Sequence, residues 1–173
     1  MIRFLYILCL SLLIVLPAEA QYQRVIVGVD GFTCSMCGMS VENALRRLPF
    51  VEDVQMDLNS NTATIYFRKN TEISIRKIAD EVYGSGFSVR SIEADYAFQD
   101  LTVHDFSSYQ VGKDEFHFLK VGEHTINGVA TIIFLNKRLI SRKEYSHWEE
   151  WIKQDVKKNG KKENVYYVTL LRG

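Results

Sequence analysis

Two cysteines, Cys34 and Cys37, are the residues of this chain whose type and spacing best suit chemistry. With two residues between them, their sulfurs can share one ion or close one disulfide. A strand-like run, Val25 to Val29, precedes them, and a helical pattern follows from about Met36. At the start of a helix, unpaired N–H groups and the positive end of the helix dipole favour the thiolate form. A thiolate is the form of cysteine that binds metal or attacks a disulfide.

Apolar periodicity predicts the elements that position this pair. The predicted strands cover 24–30, 54–58, 63–67 and a segment that begins at Phe87. The predicted helices cover about 36–47 and about 74–83. Pro49 limits the first helix, and Gly84 and Gly86 end the second. The two helical stripes and the alternating strands predict one buried layer between helices and sheet.

A longer pattern surrounds the two cysteines. Its residues are Gly31, Thr33, Cys34, Cys37, Val41 and Glu42. In this register the chain resembles the heavy-metal-associated domain, whose motif is Gly-Met-Thr-Cys-x-x-Cys before a helix that opens with Val or Ile and Glu. Phe32 stands where the family usually has a packing Met, and the resemblance extends over about residues 24–93, including 57–65 and 78–87. It implies a ferredoxin-like βαββαβ sandwich that holds a soft ion between the two cysteines and passes it to a partner.

The ligand set predicts which ion is bound. Two soft thiolates with no third ligand nearby suit Cu(I) best, with Hg(II) or Ag(I) as alternatives. Zinc would require four ligands. Met36 is interpreted as a variable loop residue, and Met39 as a residue that covers the site or packs in the core. The resemblance places Phe87 beside the metal loop as a shield, and an ordinary core position suits it equally well.

The first 20 residues predict a signal peptide. Arg3 precedes an apolar run over 4–16, Pro17 ends the run, and Ala18-Glu19-Ala20 supplies a cleavage signal before Gln21. The run is short for a membrane-spanning helix. An uncleaved anchor is therefore the lesser alternative.

Export would decide the redox state of the cysteines. Cys9 would leave with the signal peptide, so Cys34 and Cys37 would be the cysteines of an exported protein, periplasmic or extracellular. A neighbouring thiol pair tends to oxidise outside the cytoplasm. A disulfide would block the metal site, whereas a bound copper or mercury ion would protect the thiols.

The pattern changes after residue 94. We predict a signal peptide at 1–20, a heavy-metal-associated domain at 21–94 and a second small α+β domain at 95–173. In the second domain, strands are predicted over 96–106, 115–121, 125–135 and 163–171, and a helix runs from Arg142 to about Lys158. The apolar stripe of this helix is Tyr145, Trp148, Ile152 and Val156. The histidines at 104, 117, 124 and 147 have no suitable partner close in sequence, so they predict no metal site.

These features together predict a metal carrier. Lys+Arg and Asp+Glu both number 21, so no net charge directs the chain toward nucleic acid or acidic lipid. No catalytic triad order, phosphate loop or carboxylate pair stands out, so no enzyme is predicted. Cys34 and Cys37 predict a copper chaperone or scavenger that transfers Cu(I) by ligand exchange with a donor or acceptor protein, such as a copper transporter. It would be a monomer or a weak metal-bridged dimer, without stable membrane insertion after signal cleavage. The alternatives are a thiol–disulfide oxidoreductase that uses the same cysteines and a protein-interaction module with a vestigial metal site.

Overall fold

The computed structural model describes residues 22–31 and 35–171 of the chain. The predicted signal peptide at 1–20 lies outside these residues. The first half follows the order β-α-β-β-α-β. Its elements are β1 (Tyr22–Asp30), α1 (Ser35–Arg46), β2 (Val51–Asp57), β3 (Thr62–Phe67), α2 (Ile75–Gly84) and β4 (Ser88–Val103). Both helices and all four strands lie close to the positions that apolar periodicity predicts.

The strands of the first half form a ferredoxin-like sheet. β1 lies between β3 and β4, and β2 lies outside β3, which gives the order β2-β3-β1-β4. All three contacts are antiparallel, and Val25 of β1 stands opposite Ile65 of β3 and Ala94 of β4. The predicted α+β class and ferredoxin-like arrangement of this half are therefore confirmed.

α1 and α2 pack on this sheet because their apolar residues recur at helical spacing. Val41 and Leu45 of α1 and Ile78 and Val82 of α2 are fully buried, in one cluster with the inward residues of the strands. α2 starts at the N-cap Ser74, whose hydroxyl accepts a hydrogen bond from the backbone N–H of Lys77. The buried helix faces hold the ends of both helices at fixed positions along the sheet.

The second half extends the same sheet. Its elements are β5 (Ser108–Val111), β6 (Asp114–Phe118), β7 (His124–Phe134), α3 (Arg142–Asn159) and β8 (Val165–Leu170). Beyond β4 the order continues as β7-β8-β6-β5. The strand predicted over 96–106 is the continuation of β4, which extends without a turn to Val103, and the four-residue β5 was not predicted.

The sheet curves so that its two halves share an aromatic core. Tyr22 of β1 and Phe116 of β6 have ring centroids 6.3 Å apart, although β4, β7 and β8 lie between these strands in the sheet. Tyr96 of β4 contacts both rings, at 5.0 and 5.3 Å, and is 1% exposed. The predicted boundary between residues 94 and 95 falls inside β4. The division into two domains stays a prediction.

α3 covers the opposite face of the sheet. Successive strand residues point to opposite faces. Phe116 of β6 belongs to the shared core, and its neighbour His117 contacts Asp155 of α3. A second cluster fills this face, with the buried residues Leu119, Leu135, Ile140 and Ile152. Within residues 22–31 and 35–171, no helix has the length and apolar character needed to cross a membrane.

Candidate metal-binding site

Cys37 lies in the first described turn of α1, which begins at Ser35, and its side chain is partly exposed. The first N–H groups of a helix have no acceptor within the helix, and they give this end a partial positive charge. A negatively charged sulfur is favoured there for the same reason. Phe32, Thr33 and Cys34 lie outside the described residues, so the geometry of the cysteine pair stays a prediction.

Exposed apolar side chains lie on and beside the turn that carries Cys37. Met36 is 78% exposed, Met39 is 60% exposed and Leu58 is 47% exposed. Leu58 reaches α1 because Gly38 has no side chain: a Cβ at this position would stand 2.6 Å from Leu58 Cδ2. Met39 is therefore not a core residue, and with Met36 and Leu58 it forms an apolar rim beside Cys37.

The hairpin between β2 and β3 holds Leu58 in place. One carboxylate oxygen of Asp57 accepts the backbone N–H groups of Asn59 at 2.9 Å and Ser60 at 3.4 Å. The other oxygen accepts the hydroxyl of Ser60 at 2.8 Å. The Ser60 hydroxyl, followed by the two backbone groups, holds the pKa of Asp57 below its usual value because these donors stabilise the carboxylate. The sequence Asn59-Ser60-Asn61 thus forms the predicted turn.

Phe87 borders the start of the cysteine loop. Gly31 has φ of 102°, a conformation that favours glycine, and a Cβ there would stand 3.5 Å from Phe87 Cδ1. Phe87 is partly buried and packs against the shared core. It therefore lies beside the first residue of the loop, as the resemblance implies, while its shielding of the cysteines stays a prediction.

The second half reaches the same region. A cavity of about 570 Å³ is lined by Asp30, which precedes the loop, and by Lys137, Arg138 and Arg142. Asp30 is paired with Arg90, whose Nη1 lies 3.4 Å from its carboxylate. Lys137 and Arg142 line the same cavity as Asp30, so they place positive charge near the start of the cysteine loop.

The histidines form no metal site in the described part of the chain, where no three His, Cys, Asp or Glu side chains are grouped to hold an ion. His104, His124 and His147 are exposed. His117 is buried against Asp155, and this contact was not predicted because the two residues are 38 positions apart. One feature of the sequence does indicate a buried partner for Asp155. This residue follows Ile152 at helical spacing, so an acidic side chain stands on the apolar face of α3.

Residues 26–88 match the family described as the heavy-metal-associated domain. A probable copper-transporting ATPase, HMA5, of Arabidopsis thaliana is 37% identical over 70 residues, which are 40% of this chain and 7% of that protein. The copper chaperone CopZ of Staphylococcus haemolyticus is 26% identical over 65 residues, or 38% of this chain and 94% of that protein. The solved yeast copper transporter domain Ccc2A has a TM-score of 0.35 and 28% identity, over 38% of this chain and 88% of that chain.

The first half thus has a ferredoxin-like fold. Residues 26–88 are a heavy-metal-associated domain, homologous to a copper chaperone and to part of copper-transporting ATPases. The predicted resemblance to this family is confirmed over residues 26–88. The chain spans only 7% of the length of the Arabidopsis ATPase that it matches.

Proposed function

We propose that this protein is a soft-metal carrier that holds Cu(I) between the thiolates of Cys34 and Cys37. The position of Cys37 supports this most directly: it is partly exposed in the first described turn of α1 and lies inside the match to the heavy-metal-associated domain. Soft thiolate ligands select Cu(I). The relatives of this segment are named for copper transport and copper delivery. Hg(II) and Ag(I) are the alternative ions.

A site with two thiolates suits transfer, because a thiolate of the partner can join the ion before the first pair releases it. The apolar rim of Met36, Met39 and Leu58 supports a protein contact at this point, since exposed apolar patches are typical of interaction sites. The partner would be a metal-donating or metal-accepting protein, such as a copper transporter. The chain itself would be a monomer or a weak metal-bridged dimer.

The signal-peptide pattern at 1–20 supports an exported protein, periplasmic or extracellular. In such a compartment a cysteine pair without bound metal tends to form a disulfide. The proposal therefore requires that the pair receives its ion soon after export, or that a reductant restores the thiols.

Anaerobic titration with Cu(I) against a competing chelator tests metal binding. Loss of a residue that only supports a metal ligand costs about 10–100-fold in metal affinity. Cys37→Ser removes one of the two proposed ligands themselves, so its Cu(I) affinity should fall by more than this. Met39→Leu is the matched control, because it removes a nearby sulfur but keeps the apolar rim, and it should bind as the wild type does. Undiminished Cu(I) binding by Cys37→Ser would overturn the proposal.

The placement of Cys37 also suits thiol–disulfide exchange, because a helix N-terminus activates an attacking thiolate. This gives a second candidate function, an oxidoreductase that uses Cys34 and Cys37. An insulin-reduction assay on the same samples separates the two. Rapid insulin reduction together with weak Cu(I) retention would favour the oxidoreductase.

A further inference from the structure

A cluster of charged side chains is buried between α3 and the sheet. His117 of β6 is 1% exposed, and Asp155 of α3 is 0% exposed. The imidazole Nδ1 lies 2.6 Å from Oδ2 of Asp155. Asn159 donates a hydrogen bond of 2.8 Å to the other oxygen of Asp155. Both carboxylate oxygens therefore have a partner, and one side of the imidazole is fixed.

The other side of the imidazole faces a second carboxylate. Nε2 of His117 is shielded from solvent and has no hydrogen-bond partner among the described residues, and it lies 3.5 Å from Oε1 of Glu115. A neutral imidazole that donates from Nδ1 to Asp155 would direct the lone pair of Nε2 at this carboxylate. An unpaired buried nitrogen is unfavourable. A proton on Nε2 converts the same geometry into an attraction.

The charges of the cluster balance only when His117 is protonated. Asp155 and Glu115 carry two negative charges, and Lys162 supplies one positive charge, with its Nζ 3.1 and 3.0 Å from the two oxygens of Glu115. A neutral His117 would leave one net negative charge in a largely buried site. Burial by itself lowers the pKa of His117, but the hydrogen bond and charge of Asp155 and the charge of Glu115 outweigh it and raise the pKa above the ordinary value.

The remaining groups around the imidazole do not disturb this balance. Tyr167 of β8 faces the ring edge-on, with centroids 5.9 Å apart, and burial raises the pKa of its hydroxyl, so that it stays neutral. Ser108 of β5 stands opposite His117 in the sheet, and its side chain bonds to Glu115. These groups face His117 from β5 and β8, while Asp155 faces it from α3 and Lys162 acts from the segment after α3.

We propose that His117 is an imidazolium in the folded protein and acts as a pH-sensitive clamp that holds α3 on the sheet. Ile152 and Asp155 are the buried residues of α3, and Tyr145, Trp148 and Trp151 pack partly buried on the same face, so the ionic contact adds to an apolar attachment of the helix. Loss of this proton restores the repulsion between the Nε2 lone pair of His117 and the carboxylate of Glu115. The clamp is independent of the metal-binding proposal, because it lies on the other face of the sheet.

The direction of the pH dependence follows from proton linkage. The folded chain binds the His117 proton more tightly than the unfolded chain does, so the stabilisation is complete below the unfolded pKa of about 6.5 and is lost as the pH rises through the higher folded pKa. Between these two values, one extra bound proton changes the unfolding equilibrium constant by up to about tenfold per pH unit.

NMR titration of the His117 imidazole tests the clamp in the intact protein. The same titration of the chain unfolded in urea supplies the reference. His117 should titrate at a higher pH in the folded protein than in the unfolded chain. The proposal is overturned if His117 of the folded wild type titrates at the same pH as in the unfolded chain or at a lower pH.

Two variants add a second check. Asp155→Asn should bring the titration of His117 down toward that of the unfolded chain, because the imidazole loses one of the two carboxylates beside it. Glu149→Gln is the matched control, since Glu149 is an exposed acid on the same helix, and it should leave the titration of His117 unchanged. An equal shift in both variants would mean that the general charge of α3, rather than the clamp, sets the titration. If Asp155→Asn does not fold, the wild-type titration decides alone.

Discussion

Cys37 and His117 show two opposite placements of a titratable side chain in one fold. Cys37 lies partly exposed in the first described turn of α1, next to the exposed Met36 and Leu58. His117 lies beneath α3 with a carboxylate on either side of its ring. A group that exchanges a ligand needs access to a partner, whereas a group that fixes a helix needs constant neighbours. The first half thus has its thiol at an accessible helix end, and the second half has its ionic contact inside.

This contrast exists within one continuous structure, because the aromatic core extends across both halves. The largest expected effect tests that continuity. Phe116→Ala should destabilise the protein by about 3–5 kcal/mol, the usual range for loss of a buried phenylalanine ring. Phe116 is 0% exposed, and its ring contacts Tyr22, Tyr96, Phe134 and Tyr166, which belong to four different strands. Urea unfolding, followed by the fluorescence of Trp148 and Trp151 on α3, measures the loss.

Hydrogen exchange of the β1 amides reports the first half in the same variant. With a shared core, the protection of Val25 and Val27 should fall together with the tryptophan transition. Unchanged β1 protection beside a shifted tryptophan transition would contradict the shared core and favour two domains that divide near residue 94. Phe106→Ala is the control, because Phe106 packs only in the second cluster and is partly exposed, so its effect should be smaller.

The two halves also differ in how far their sequence predicts them. In the first half, the helical stripes, the turn at 59–61 and the pattern around Cys34 and Cys37 are local signals, so elements and fold class follow from them. In the second half the decisive contacts are distant. β4 passes through residue 95 because no turn residue interrupts it, and β5 is too short to show an alternation. The contact of His117 with Asp155 depends on where β6 and α3 meet, which no spacing in the sequence records.

The helix caps allow a matched comparison of the two halves with a medium effect. Ser74 caps α2 and Ser141 caps α3, each by accepting a backbone N–H, at 3.4 and 3.2 Å. Ser74→Ala and Ser141→Ala should each lower the free energy of unfolding by about 1 kcal/mol, because one N–H at each helix start loses its acceptor. Thermal or urea unfolding measures both. Ser→Thr at either position keeps the hydroxyl and should recover most of the loss.

Equal effects of the two caps would indicate that α2 and α3 belong to one cooperative unit. A cap variant of α3 that lowers the protection of α3 alone, with global unfolding unchanged, would show instead that this helix opens by itself. In that case the His117 clamp would matter more for the stability of α3, because a helix that opens locally depends most on its own contacts to the sheet.

The smallest expected effect concerns a polar link across the two halves. Asp95 of β4 accepts hydrogen bonds from Arg24 of β1 at 2.6 Å and from the hydroxyl of Thr131 of β7 at 2.7 Å. Burial opposes ionisation of Asp95, but Thr131 and then Arg24 outweigh it, and the pKa of Asp95 lies below its usual value. Arg24 is nearly half exposed, so solvent screens the pair, and Asp95→Asn should cost at most about 1 kcal/mol near neutral pH.

The pH dependence of this loss separates it from the His117 effect. A carboxyl with a lowered folded pKa contributes stability that is present above its unfolded pKa of about 3.9 and is lost as the pH falls through the folded value. Urea unfolding of the wild type and Asp95→Asn should therefore differ at pH 6 and converge in acid, whereas the contribution of His117 fades toward alkaline pH. A difference that persists unchanged in strong acid would show that Asp95 acts through its shape rather than its charge. Because the two groups fail at opposite ends of the pH range, stability should be greatest between them, with the contacts of Asp95 limiting it in acid and the His117 clamp limiting it in base.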